Sequence, residues 1–233
     1  MGTTGRILFI QHQDDCPPGY VGDRAQQCGF ELDILEAGAV ATTRTSFPDP
    51  RGYDLIVPLG SDDAAYDDTV GHLPAEHELL DAAVDAGVPV FGICFGAQLL
   101  ARTLGGRVWQ APGPEIGWLR PDVNEPGLVE PGPWLVWHLD VMSCPPGGTE
   151  LARTTAALQA FRSGPHVGVQ FHPEATPTSA AVWAQHYGSS LAALGIDPDA
   201  LLEQTRRGQD EARQRAYRLF DRVCAHAAAL TSR

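Results

Sequence analysis

Lysine is absent from this 233-residue chain, and all 16 basic residues are arginine. A Walker A phosphate loop, a Schiff-base lysine and a Ser-Lys nucleophile pair each need a lysine amine, so all three are excluded. Asparagine occurs once, at Asn124 ahead of Glu125 and Pro126, which leaves no N-glycosylation sequon. Cysteine is sparse and odd in number: Cys16, Cys28, Cys94, Cys144 and Cys224 include no C-x-x-C pair and do not read as a disulfide framework. No apolar run nears the roughly 18 residues of a membrane helix, and no basic-then-apolar leader precedes residue 6. The expectation is a cytoplasmic protein with reduced thiols and no membrane partner. Positive charge is also scarce, 16 basic against 29 acidic residues for a net −13, which argues against nucleic acid as a partner. The lysine-free, Ala-, Gly- and Arg-rich usage points to a GC-rich bacterial genome.

What is present is a globular composition, with 43% apolar residues. The first half alternates short apolar runs with helical patterns. Residues 6–10 (RILFI), 30–35 (FELDIL), 53–59 (YDLIVPL) and 88–93 (VPVFGI) read as strands. Residues 19–28, a segment opened by Pro74 and closed at Gly87, and residues 98–104 read as helices. Such alternation predicts a three-layer α/β fold around a doubly wound, mostly parallel central sheet, with a site at the carboxyl ends of its strands. From 107 to 171 glycine and proline are frequent. Short strand candidates at 134–138, 151–155 and 167–171 read as antiparallel strands added to the sheet. Two helices, broken near residues 195–198, close a chain that reads as one domain over 1–233, with 179–233 a C-terminal helical section.

The most informative stretch is Gly92-Ile93-Cys94-Phe95-Gly96-Ala97-Gln98. It follows a buried strand, opens a helix and reads G-x-C-x-G, the nucleophile-elbow pattern with cysteine in place of serine. A sulfur there sits over a helix N-terminus, where thiolate is favoured. The base for such a thiol is sought in Phe171-His172-Pro173-Glu174. If the backbone stays extended, His172 and Glu174 share one side, and Glu174 can fix the tautomer of His172.

These residues resemble the class I glutamine amidotransferases, particularly small members similar to the GMP synthase amidotransferase domain, with a flavodoxin-like core. The family's C-x-G-x-Q motif is matched by Cys94 to Gln98, and its H-P-E by His172 to Glu174, in the expected order over about three quarters of the chain. The resemblance implies attack of Cys94 on the amide of glutamine or a γ-glutamyl compound, with no cofactor and no metal. It implies an oxyanion hole from the backbone N–H groups of Ser61 and Phe95. Ser61, following Gly60, stands where the family has a glycine-rich turn. Gln98 and the segment Trp137-His138-Leu139-Asp140 are implied in binding the substrate, with Gly60 beside them. Glu115 to Trp118 resembles the loop after the nucleophile helix. An amidotransferase of this kind requires a separate acceptor synthetase. The same triad also serves a γ-glutamyl peptidase, and the fold can carry a non-catalytic binding member.

Other polar residues read more plainly. His72, His77 and Glu78 read as a solvated helix face, His166 as a turn residue, and His138 as a structural or substrate-loop residue. Asp14-Asp15-Cys16-Pro17 either lines the site or caps a turn. The Arg206 to Arg222 series reads as a solvated helix face, with Tyr217, Leu219 and Phe220 packed inward.

Overall fold

The computed structural model describes residues 5–43, 46–125 and 127–231. Its strands are β1 (Arg6–Gln11), β2 (Glu31–Glu36), β3 (Leu55–Pro58), β4 (Phe91–Ile93), β5 (Val108–Leu119), β6 (Asp122–Val123), β7 (Trp134–Met142), β8 (Thr149–Arg153), β9 (Leu158–Ser163) and β10 (His166–Val169). Helices α1 (Gly19–Gln27), α2 (Ala37–Thr43), α3 (Leu73–Asp85) and α4 (Phe95–Thr103) lie between the early strands, and α5 (Pro177–His186), α6 (Gly188–Ala193) and α7 (Pro198–Thr231) follow the last. No helix among the described residues is long and apolar enough to cross a membrane.

Strands β2, β1 and β3 pair in parallel. A parallel bridge from Ile56 to Val90 joins β3 to the β4 segment, and β4 pairs in parallel with β10. Beyond β10 the order continues antiparallel through β9, β8 and β6. The architecture is the expected three-layer α/β arrangement. Side chains alternate across it with period two. Ile7, Phe9, Leu55, Val57, Phe91, Ile93, Val167 and Val169 face one core with α1 and α7 residues such as Val21, Leu219 and Phe220. Leu8, Ile10, Ile56 and Val90 face the other with α3 and α4 residues such as Leu79, Leu80, Leu99 and Leu100. Two buried faces explain why the central strands read as continuous apolar runs.

Three expectations are corrected. Strand β7 does not join the sheet; it pairs antiparallel with β5 in a separate two-stranded ladder. The C-terminal section holds three helices, because Gly188 begins a short α6 between α5 and α7. Arg215 on α7 is buried: it donates to the Pro133 carbonyl at 2.8 Å and lies over the Trp134 ring, which stacks on Phe171. Its neighbours meet acids instead, Arg218 and Arg222 at Glu130. Asp221 accepts from Arg24 Nε and Nη2, at 2.8 Å each, and so ties α7 to α1.

The glycines flanking Cys94 are there because nothing larger fits. A Cβ at Gly96 would lie 2.1 Å from the Pro58 carbonyl oxygen, and one at Gly92 would lie 2.5 Å from that of Gly96. Gly96→Ala is therefore expected to force β3 and α4 apart and to cost at least about 1–3 kcal/mol of stability. Urea unfolding checks this; a midpoint unchanged from the parent would contradict the packing described.

Candidate active site

The chain turns from β4 into α4 at Cys94, whose φ of 52° and ψ of −109° make it the one non-glycine residue with positive φ among the described residues. Backbone strain of this kind persists only where surrounding contacts enforce it. Here Cys94 N–H donates to the Val169 carbonyl at 2.8 Å, and Gly96 N–H donates to the Leu59 carbonyl at 3.1 Å. The elbow is thus fastened to β10 on one side and to the end of β3 on the other.

Strand β10 ends at Val169, so His172 and Glu174 do not sit on extended backbone as the sequence suggests. They occupy a turn, anchored by His172 N–H on the Leu135 carbonyl at 2.8 Å and by Tyr20 N–H on the Glu174 carbonyl at 3.0 Å. Gly19 lets α1 come this close, since a Cβ on it would lie 2.0 Å from the Glu174 oxygen. The turn brings Glu174 Oε1 to 2.7 Å from His172 Nδ1, with both side chains buried. His172 Nε2 lies 3.4 Å from the Trp137 carbonyl, and the Cys94 thiol reaches the same oxygen at 3.8 Å. Burial opposes a charged His172. The negative charges of Glu174 and Cys94 and hydrogen bonds to both outweigh that effect and hold its pKa well above the ordinary histidine value.

A cleft opens over Cys94 and His172, walled by Ser61, Asp62, Trp137, Trp183 and Tyr187, with about 300 Å³ of empty space when its solvent-open mouth is included. It continues into a solvent-open region of about 680 Å³ bounded by Gln98, Ile116, His138, Leu139, Asp140 and Leu194. Gly60 borders it too, for a Cβ there would stand 3.2 Å from His172 Cε1. Within residues 61–63 the Asp62 N–H donates to Gln13 Oε1 at 2.8 Å and the Asp63 N–H to Ser61 Oγ at 3.1 Å. No acceptor among the described residues pairs with the N–H of Ser61 or of Phe95. Two free donors near one thiol can receive an oxyanion.

Gln98 touches this space but directs its amide nitrogen inward, to the Asp140 carbonyl at 3.0 Å and to Gln170 Oε1 at 3.3 Å. Leu139 is exposed, whereas His138 is buried and its Nε2 meets Glu115 Oε2 at 3.2 Å. Burial raises the Glu115 carboxyl, but hydrogen bonds from His138, Thr154 and Gln159 leave it lowered on balance. Glu115 to Trp118 lies within strand β5, not in a loop.

Two further placements, those of His72 and His166, differ from the sequence reading. His72 is buried rather than solvated, and Glu76, one turn along α3, is fully buried beneath it. Glu76 accepts from His12 Nε2 at 2.9 Å, and His12 Nδ1 lies 3.2 Å from the Gly60 carbonyl. The donor atoms of His12, His72 and Glu76 fall within 4.8 Å of one another, close enough to share a metal ion, yet His12 and Glu76 already satisfy each other by hydrogen bonding. His166 opens β10 as a buried residue, and burial lowers its pKa to about 4. Cys16 is buried on the cavity wall, so its segment lines the site. Gln170 donates to Cys94 Sγ at 3.6 Å, and no sequence signal marked it.

An α/β protein with a cysteine at a strand-to-helix elbow and a buried His-Glu pair beside it is a defined class. A family model, "Glutamine amidotransferase class-I", matches residues 24–183, and the chain belongs to that family. A GMP synthase (glutamine-hydrolyzing) of Aeropyrum pernix is 42% identical over 168 residues, covering 68% of this chain and 31% of that protein. One of Thermus thermophilus is 36% identical over 148 residues, 59% of this chain and 28% of that protein. The chain therefore spans less than a third of these curated relatives. The crystal structure of a glutamine amidotransferase from Thermotoga maritima superposes with a TM-score of 0.85 at 26% identity, covering 95% of this chain and 98% of that one. Another, from Methylobacillus flagellatus, gives 0.84 at 24% identity over 96% of each chain and supports the fold alone.

Two outcomes are expected from this geometry. Burial pushes the thiols of Cys16, Cys28, Cys144 and Cys224 upward, the last to about 12, so a small electrophile should label Cys94 first. Peptide mapping checks it, and equal labelling of Cys28 or Cys144 would contradict it. The second concerns pH. A histidine raised in the folded state stabilises the fold in full below its unfolded value of about 6.5, and that contribution is lost as pH rises through the folded value. Glu174→Gln should lower the His172 titration seen by NMR and flatten this part of the pH–stability curve.

Proposed function

We propose that the chain hydrolyses the side-chain amide of glutamine through Cys94, His172 and Glu174. The observation that carries this reading is the buried 2.7 Å contact of His172 with Glu174 beside a thiol on a strained elbow. The Cys94 thiolate attacks the amide carbon, and the carbonyl electron pair moves onto oxygen, facing the N–H groups of Ser61 and Phe95. As the tetrahedral species collapses, the C–N bond breaks and His172 gives its proton to the departing nitrogen, releasing ammonia. A γ-glutamyl thioester remains on Cys94. Water deprotonated by His172 then attacks that carbonyl, freeing glutamate and the thiolate. Glu174 holds Nδ1 and stabilises the imidazolium without exchanging bonds with the substrate.

Trp137 and its neighbours His138, Leu139 and Asp140 form the substrate wall in this reading. Gln98 acts behind them, holding the Asp140 carbonyl, rather than as a direct ligand. Ammonia would pass to a separate acceptor enzyme. This part rests on the relatives named GMP synthase, of which the chain covers under a third.

A second reading has one observation in its favour: the cleft runs on past Cys94 to further walls at Gln98, Ile116, His138 and Leu194. A γ-glutamyl peptide or conjugate would place its leaving group there. Steady-state kinetics of the purified chain on glutamine and on a panel of γ-glutamyl dipeptides and amines separates the two. A conjugate preferred a hundredfold in kcat/KM, about 2.7 kcal/mol of transition-state preference, would establish the peptidase and refute the amidotransferase. Glu174→Ala is expected to keep measurable turnover, while Cys94→Ala and His172→Ala fall to background. Turnover equal to wild type in Glu174→Ala would remove Glu174 from the mechanism.

A further inference from the structure

The geometry points to His12 and Glu76 as positioning residues that orient the Gly60–Ser61 peptide so that the Ser61 N–H serves as an oxyanion donor. The inference rests on the hydrolytic reading of Cys94 given above, and it concerns residues that act through the Gly60–Ser61 peptide rather than on the substrate. The Gly60–Ser61 peptide is trans, so its carbonyl and its N–H point in opposite directions. The carbonyl lies 3.2 Å from His12 Nδ1; because Glu76 and this carbonyl are both acceptors, the ring holds the two together by carrying a proton on each nitrogen, the form that the Glu76 carboxylate favours. The N–H is thereby turned away from His12, and Ser61 is itself a wall of the cavity that contains Cys94 and His172.

What fixes His12 is Glu76. Both carboxylate oxygens lie on the other ring nitrogen, Nε2, at 3.0 and 2.9 Å, and neither side chain is exposed. The His12 ring also meets Phe95 edge-on with centroids 4.7 Å apart, so the ring touches the residue carrying the other candidate donor. His72, at 3.6 Å from Glu76, and Asp63, at 4.0 Å from His72, face the pair, and Asp14 and Glu36 border a cleft with His12.

The rest of the turn is held by side chains. Gln13 takes the Asp62 N–H and returns its own amide hydrogen to Asp62 Oδ2 at 2.9 Å, and Ser61 Oγ takes the Asp63 N–H. Of the three N–H groups from 61 to 63, only that of Ser61 has no acceptor among the described residues. A turn with serine where the family has glycine lacks the backbone freedom that glycine brings. His12 and Glu76 supply by hydrogen bonding the orientation that such a turn needs.

The test compares two electrophiles on the whole chain. Iodoacetamide alkylates a thiol by displacement and generates no oxyanion. The aldehyde 5-oxopentanoate adds to a thiol instead, and the resulting hemithioacetal oxygen sits where the oxyanion would. Its affinity is read as protection of Cys94 from iodoacetamide. His12→Phe should alkylate at the wild-type rate without aldehyde, yet bind the aldehyde at least tenfold more weakly. His12→Gln, which keeps an N–H donor for the Gly60 carbonyl, should recover most of that affinity. Glu76→Gln, nearly isosteric, should weaken it several-fold and provides the comparison if His12→Phe does not fold. Aldehyde affinity within threefold of wild type in His12→Phe, or in Glu76→Gln where that variant stands in, would overturn the inference, as would wild-type protein unprotected by the aldehyde. Failure of the hydrolytic reading shows separately, as an absence of turnover on every γ-glutamyl substrate by a wild-type protein that the aldehyde still protects.

Discussion

The left-handed backbone at Cys94 is the constraint on which the rest of the site depends. It projects one side chain above the sheet, and it is held there by two hydrogen bonds that reach opposite neighbours, Val169 at the end of β4's partner β10 and Leu59 just after β3. Those neighbours lead directly into the two segments that face the thiol. Beyond Leu59 come Gly60 and Ser61; beyond Val169 come Gln170, His172 and Glu174. One strained residue therefore sets the relative height of a thiol, a histidine and two backbone N–H groups. The absence of side chains at Gly92 and Gly96 makes the tight approach possible.

The electrostatics of the site follow from burial. A histidine removed from water loses its charge unless an opposite charge goes with it. His172 keeps a raised affinity for its proton because Glu174 is buried with it, and His166, buried with no such partner, falls to about 4. The two histidines lie six residues apart on one strand and the turn beyond it. The contrast follows the negative partners, Glu174 foremost and Cys94 with it, rather than the depth of burial.

Much of this was legible in the sequence where the signal is local. Cys94 between glycines, His172 two residues from Glu174, and the four early strands all announce themselves within a few residues. Strand β5 does not, because Pro112, Gly113, Pro114 and Gly117 interrupt any alternation. Pairing with β7, with a register shift between Gln110 and Glu115, holds it extended nonetheless. The His12–Glu76 contact joins residues 64 positions apart, and only the parallel placement of β1 and β3 with α3 packed over them brings it about. A histidine and an acid on a helix otherwise look like a solvated face. The extended-strand argument for His172 and Glu174 reached the right neighbours by the wrong backbone: a turn, anchored at Leu135 and at Tyr20, brings them together.

The C-terminal section has a place in the site as well as in the fold. The family match ends at residue 183, yet Tyr187, Ser190 and Leu194 stand on the cavity walls beyond it. Trp183 supports this part of the wall by donating its indole N–H to the Asp15 carbonyl and packing its ring against His172 with centroids 4.8 Å apart. Tyr187 donates its hydroxyl to Asp62, the residue after Ser61, and its ring lies 5.9 Å from that of Trp137. Thus α5 and the Tyr187 junction bridge the turn after β3 to the β7 wall, closing over the thiol from the side opposite the sheet. Helix α7 in turn holds α5 in place by packing against both it and α1. A change in how these helices sit would be felt at Asp62, one peptide from the donor at Ser61, and so at the cavity itself.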